Sequence, residues 1–189
     1  MTNDVFALAD YASAGLVARP SLEDSVSAPR ATFDIECLDG EGQVKWVERI
    51  ENMVFTAGKL DLLNVYFGAT SKPAAWYLLL KSTAAGEAAA DTLATHAGWT
   101  EITNLYAAAN RPTITFTAAT TVSTVNGQIQ GTATTGTLSG GGTVTGCGVT
   151  QTQAKATTTG VLYNAGDFSA SRTVASGDTL NVTVTLTIT

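Results

Sequence analysis

The stretch Asp178-Thr179-Leu180-Asn181-Val182-Thr183-Val184-Thr185-Leu186-Thr187-Ile188-Thr189 decides how this chain is read. Leu180, Val182, Val184, Leu186 and Ile188 alternate with Asn181, Thr183, Thr185, Thr187 and Thr189. Successive side chains of a strand point to opposite faces, so the pattern predicts a β-strand with one aliphatic and one hydroxyl-rich face. A terminal strand stays ordered when it is tied into a sheet, and this one is expected to be a strand the fold is built around.

Upstream of it the chain reads as short strands separated by turns. Ser176-Gly177-Asp178 turns into the last strand. Val161-Leu162-Tyr163 and Arg172-Thr173-Val174 read as two strands about a turn at Asn164-Ala165-Gly166-Asp167. Thr143 to Thr150 reads as a strand carrying glycines, which mark close approach of another backbone or ring. Ser139-Gly140-Gly141-Gly142 and Asn126-Gly127 are turn signals, and Thr113 to Thr117 is a strand with Ile114 and Phe116 on one face.

In the first half, Phe33, Ile35 and Cys37 alternate with Asp34 and Glu36. Asp39-Gly40-Glu41-Gly42 follows as a turn, then Val44, Trp46 and Glu48 share a face: a hairpin over 31–50. Lys45 and Arg49 are expected to pair with Asp34 or Glu36. A short helix opens at Thr56 as N-cap and closes at Gly68, with Leu60, Leu63, Asn64 and Phe67 at helical spacing and Leu62 and Val65 broadening the apolar side. Trp76-Tyr77-Leu78-Leu79-Leu80 is a strand covered on both faces. Asp91 is expected to cap a second short helix through Ala97, Trp99 to Ile102 returns to extended chain, and 104–112 is loop. Residues 1–30 read as an N-terminal arm. Phe6, Leu8 and Ala9 face one side of a short helix stopped by Gly15 and Pro20, and Ser21 to Pro29 forms a loop. The expected fold is mainly β: an arm over 1–30 and one β-sandwich or jelly-roll-like domain over 31–189, with one or two short helices.

Composition narrows function by exclusion. The chain has 189 residues and a net charge of −6. Residues 112–189 hold four charged side chains, Lys155, Asp167, Arg172 and Asp178, which cancel, and 23 threonines. The negative charge therefore lies in residues 1–111, and the C-terminal part presents a hydroxyl-rich surface with little repulsion between copies, which suits close packing against protein. No Lys/Arg cluster is present to neutralise phosphates, so nucleic acid is not an expected partner. No apolar run reaches the ~20 residues that span a bilayer, so no membrane partner is expected. The N-terminus lacks a basic region followed by an apolar block, so no secretory signal is expected, and the Asn181-Val182-Thr183 sequon is read as chance.

The residues that could carry chemistry have plainer readings. His96, the one histidine, is placed at a helix end. Cys37 and Cys147 are read as two buried thiols, with a disulfide as the alternative. Neither set has metal-ligand spacing, and Asp167 and Asp178 follow glycines as turn residues rather than calcium ligands. Glu36 with Glu41 or Glu48 is read as the solvated acidic face of the hairpin. The Ser139–Gly142 run lacks the lysine and helix of a phosphate loop. Trp46, Trp76 and Trp99 sit in apolar patterns and are read as core. No catalytic, cofactor-binding or metal-binding residue is assigned, and the chain is not expected to be an enzyme.

Several stretches together carry a resemblance: Val44-Lys45-Trp46-Val47-Glu48 running into Asn52-Met53-Val54; Ala75-Trp76-Tyr77-Leu78; Ala90-Asp91-Thr92-Leu93 with His96-Ala97-Gly98-Trp99-Thr100-Glu101; Arg111-Pro112; and Ser176-Gly177-Asp178-Thr179-Leu180-Asn181-Val182. In this order they resemble a family of tailed-bacteriophage virion structural proteins, over residues 31–189. The resemblance implies a non-enzymatic part of the particle, made in the host cytoplasm. By analogy it implies a capsid decoration (cement) protein on the outer head surface, with the major capsid protein and further copies of itself as partners, a trimer about a local symmetry axis being one arrangement. The alternative it leaves is a neck, tail-tip or fibre component that binds a receptor or glycan.

Overall fold

The alternating C-terminal stretch forms β9 (Thr179–Ile188), and it is paired along both sides. The computed structural model describes residues 29–84, 86–96, 98–121 and 127–188. The other elements, in chain order, are β1 (Arg30–Leu38), β2 (Val44–Val54), α1 (Thr56–Phe67), β3 (Trp76–Lys81), β4 (Thr113–Phe116), β5 (Thr120–Thr121), β6 (Gly127–Thr137), β7 (Gly142–Thr150) and β8 (Leu162–Val174). The strands run in the order β4-β3-β7-β8-β2-β1-β9-β6, and β6 pairs back onto β4. The result is a closed antiparallel barrel of eight strands, with the two residues of β5 continuing β4 along the same edge of β6.

This corrects the expected sandwich or jelly roll. Two well-paired sheets are present, β6-β9-β1-β2 and β3-β7-β8, the latter extended by β4 through two pairs to β3, and they are joined edge to edge by two short seams. One is Thr115–Thr132 with Phe116–Gly131, between β4 and β6. The other is Met53–Ala165 with Val54–Asn164, between β2 and β8. Each seam depends on a glycine. A Cβ on Gly131 would lie 2.6 Å from the Phe116 ring, and one on Gly166 would lie 2.8 Å from the Asn52 Cβ. Where the β2–β8 ladder parts, Glu48 fills the gap. Its carboxylate accepts the Ser169 N–H at 2.9 Å and is held by the Arg172 guanidinium. Glu48 is thus a buried residue of the barrel wall, not part of a solvated acidic face. Burial works against its charge, yet these hydrogen bonds and Arg172 outweigh it and hold the carboxyl below its ordinary value.

The 31–50 hairpin forms as read, with Phe33, Ile35 and Cys37 buried. Val182 and Val184 face the same interior from β9, and Leu78 and Leu80 from β3. Arg49 pairs with Asp34 at 3.2 Å, whereas Lys45 reaches Asp178 instead. The strand at 76–81 buries both faces because a second apolar cluster lies outside the wall. There Leu79, Leu162 and Ala165 meet Phe55, Leu93 and Trp99 beneath the segment that follows β3. Arg111, buried, ties that segment down with a bidentate pair to Glu101 (2.7 and 2.8 Å) and a bond to the Thr152 carbonyl.

Three further expectations change. The expected helix after Asp91 is absent among residues 91–96, where Asp91 instead accepts the Ala88 N–H and Thr92 the N–H groups of Ala94 and Thr95. The segment 164–167 is not a turn: β8 passes through it unbroken, with Asn164 and Ala165 buried. The long strand β6 was missed, since its small and polar residues give a weak alternation. Residues 1–28, the body of the expected arm, and Asn126 lie outside the described residues, and β1 already begins at Arg30.

Candidate functional site: the mouth of the barrel and helix α1

One end of the barrel is closed by turns and the other is overhung by α1. At the closed end the Asp39 carboxylate accepts the N–H groups of Glu41 and Gln43, and Asp178 accepts that of Ala175. At the other end Val54 leads through Phe55 into the helix. Phe55, not Thr56, is the cap residue, and no side chain caps the helix. Its first amides are met by tertiary partners: Phe55 N–H by the Tyr163 carbonyl and Thr56 N–H by that of Ala89. Gly68 closes the helix as expected, its N–H on the Asn64 carbonyl at 3.0 Å.

Gly58 sets how the helix lies. A Cβ there would come within 2.5 Å of the Tyr163 carbonyl oxygen, so only glycine lets the first turn sit against β8. The side that then faces the barrel carries Asp61, Leu62 and Val65. They overhang a cavity of about 220 Å³, floored by Trp76, Phe116, Ile129, Val149, Tyr163 and Leu186 and flanked by Lys72 and Pro73. Trp76 and Tyr163 meet edge to face, 5.3 Å between centroids. Burial, and the Asp61 carboxylate beside it, push the Tyr163 phenol up. The lining is apolar apart from Asp61 and Lys72, so it can hold an apolar group and offers little to activate one.

The opposite side of the same helix is apolar too. Leu60 and Leu63 are more than half exposed, and Tyr66 and Phe67 are 78 % and 79 % exposed. The sequence puts Leu60, Leu63 and Phe67 on one apolar side that Leu62 and Val65 broaden; the structure splits that side, turning the first three outward and the last two to the barrel, because Gly58 makes the close contact. A helix apolar on both sides is ordinarily one that is covered on both sides.

The residues singled out as possible chemistry are scattered. His96 stacks on the buried Trp99 ring at 3.7 Å, at no helix end. Cys37 and Cys147 are buried free thiols; burial pushes Cys37 up to about 11, the Asp178 carboxylate adding to the rise, and burial raises Cys147 too. Trp46 and Trp76 are half-buried against the core. Glu36 faces outward near the Asn181 amide, apart from Glu48. Among the described residues no three His, Cys, Asp or Glu side chains gather as a metal-binding group. The sequence reading missed buried Lys81, whose partners are Glu87, six residues on, and Asp167, 86 residues on. The closed antiparallel barrel with an apolar mouth is the class the fold defines. No protein family, curated protein or solved structure matches the chain.

Proposed function

We propose that this protein is a structural component of a tailed-phage particle, a decoration protein that sits on the outer head surface and braces the capsid. The observation that carries an assembly role is the outward apolar stripe of α1. Leu60, Leu63, Tyr66 and Phe67 lie in water in the isolated chain, and burying each against a partner is worth roughly 1.5–3 kcal/mol. Many such contacts around a shell add through multivalency. The phage setting rests on the resemblance over residues 31–189, and the weakly charged, threonine-rich C-terminal half suits dense packing beside other protein.

The test is a count of copies per purified particle by quantitative mass spectrometry. A number comparable with the major capsid protein is expected. A few copies per particle would move the protein to the neck or tail, and none would overturn the virion reading. In the same particles, Tyr66→Ser with Phe67→Ser is expected to strip the protein from the head while leaving its melting temperature nearly unchanged, since both side chains are already exposed.

A further inference from the structure

Lys81, Gly146 and Asp167 lie in one row across three strands. Lys81 pairs with Gly146 between β3 and β7, and Gly146 with Asp167 between β7 and β8. Directly paired residues of antiparallel strands share a face. The middle member has no side chain, so the outer two meet over it. A Cβ on Gly146 would fall 3.1 Å from Asp167 Oδ1. Lys81 Nζ lies 2.5 Å from Asp167 Oδ1, and the lysine side chain is 0 % exposed. Asp167 Oδ2 accepts the Gly86 N–H at 3.0 Å. The next residue, Glu87, places its carboxylate against the same Nζ. The Trp99 ring covers the amine, 5.1 Å from its centroid.

We infer that Lys81 and Asp167 are built to condense into an intramolecular amide, a covalent tie from β3 to β8. The parts match the needs of acyl transfer. Nζ is an amine held 2.5 Å from Oδ1 of the carboxyl group it would attack, which removes the entropic cost of bringing the two together. Glu87 is the base in contact with the nucleophile. The Gly86 N–H points at the oxygen that carries charge in the tetrahedral intermediate. The wall and Trp99 seal the amine from water, while the Glu87 and Asp167 side chains keep 12 % and 21 % exposure. In the step, the ammonium gives a proton to Glu87 and Nζ attacks Cγ of Asp167. The Cγ–Oδ1 bond then breaks, and Oδ1 leaves as water with the proton relayed by Glu87 and a second one from Nζ. Oδ2 stays as the amide carbonyl. One ammonium and one carboxylate become one amide and one water, with no oxidant, cofactor or energy source. Each chain performs the reaction once.

Intact mass of the purified full chain, measured under denaturing conditions, tests this. The expected mass is lower than the sequence mass by one water, and protease digestion followed by fragmentation is expected to yield a branched peptide joining Lys81 to Asp167. Lys45→Met, at the other lysine–aspartate pair, keeps the loss; Glu87→Gln, which preserves shape, yields mostly the full mass in a folded barrel. Folded wild-type protein that holds its full mass after prolonged incubation would overturn the inference. So would a water loss that maps to a linear peptide, the mark of a cyclised aspartate.

Discussion

Lys45 and Asp178 meet at 2.6 Å where the chain turns into β9; Lys81 and Asp167 meet at 2.5 Å across β7. The two pairs have the same chemistry and opposite settings. The Lys45 side chain is 32 % exposed, and among the described residues no second carboxylate touches its amine. The hydrogen bond to Asp178 raises Lys45 above the ordinary lysine value. Burial pulls Asp178 upward, but the bonds from Lys45 and the Ala175 N–H outweigh it, and its carboxyl is held below the ordinary value. The net balance there favours a cation facing an anion. At Lys81 the amine is sealed from water, a second carboxylate waits beside it, and an amide N–H polarises the acid. The difference lies at the amines, since the Asp167 carboxylate is the more exposed of the two acids (21 % against 4 % for Asp178): an amine in reach of water stays in an ion pair, and one sealed from it beside a second carboxylate is placed to react.

The sharpest way to break the contrast is to remove each lysine. Lys81→Met strands Glu87 and Asp167 against the wall and is expected to cost at least about 3–5 kcal/mol, read from denaturant melts. Lys45→Met strands one carboxylate rather than two, and buried Asp178 keeps its bond from the Ala175 N–H, so it is expected to cost less. Equal losses would erase the distinction.

Each pair also has its own glycine. At Gly146 an added Cβ would meet the Gly166 carbonyl oxygen at 2.3 Å. Gly146→Ala is therefore expected to cost about 1–3 kcal/mol through overpacking and to keep Lys81 and Asp167 apart. Gly177, before Asp178, has space around it but a φ of +96°, so Gly177→Ala is expected to cost about 1–2 kcal/mol from backbone conformation alone. A crystal structure of each variant separates the two causes, because the first must shift β8 and the second need move only its own turn.

The smallest effect is in acid. Asp178 and Glu48 have folded-state values below those of the unfolded chain. Their contribution is fully present above the ordinary carboxylate range and is lost as pH falls through the lowered values, below roughly pH 4. Melting temperature measured from pH 6 to 3 is expected to fall, and Asp178→Asn is expected to flatten that fall while lowering the plateau.

How much of this was legible depended on the range of the signal. β9, the 31–50 hairpin and β3 announce themselves because alternation or an unbroken apolar run is a local pattern. The ring was not legible, because its closure rests on two seams of two residue pairs each and on Gly131 and Gly166. Gly166 in particular sits in a tetrapeptide that imitates a turn. The helix was found but its facing was not, since Leu62 and Val65 compete with Leu60 and Leu63 for the inside and a glycine decides. The glycines of β7 were rightly read as marking close approach. What approaches at Gly146 is a lysine from one neighbour and an aspartate from the other, and neither is near it in sequence.

Arg30 and Thr187 are direct partners, so the barrel's first and last strands leave from the same end, side by side. A pull on the chain through both would load the β1–β9 ladder at its tip and open it one bond after another, like a zip rather than a lap joint. The Lys81–Asp167 tie stands on the other half of the wall, outside that path. It would resist forces that spread β3 from β8, and leave the molecule soft when drawn by its two ends.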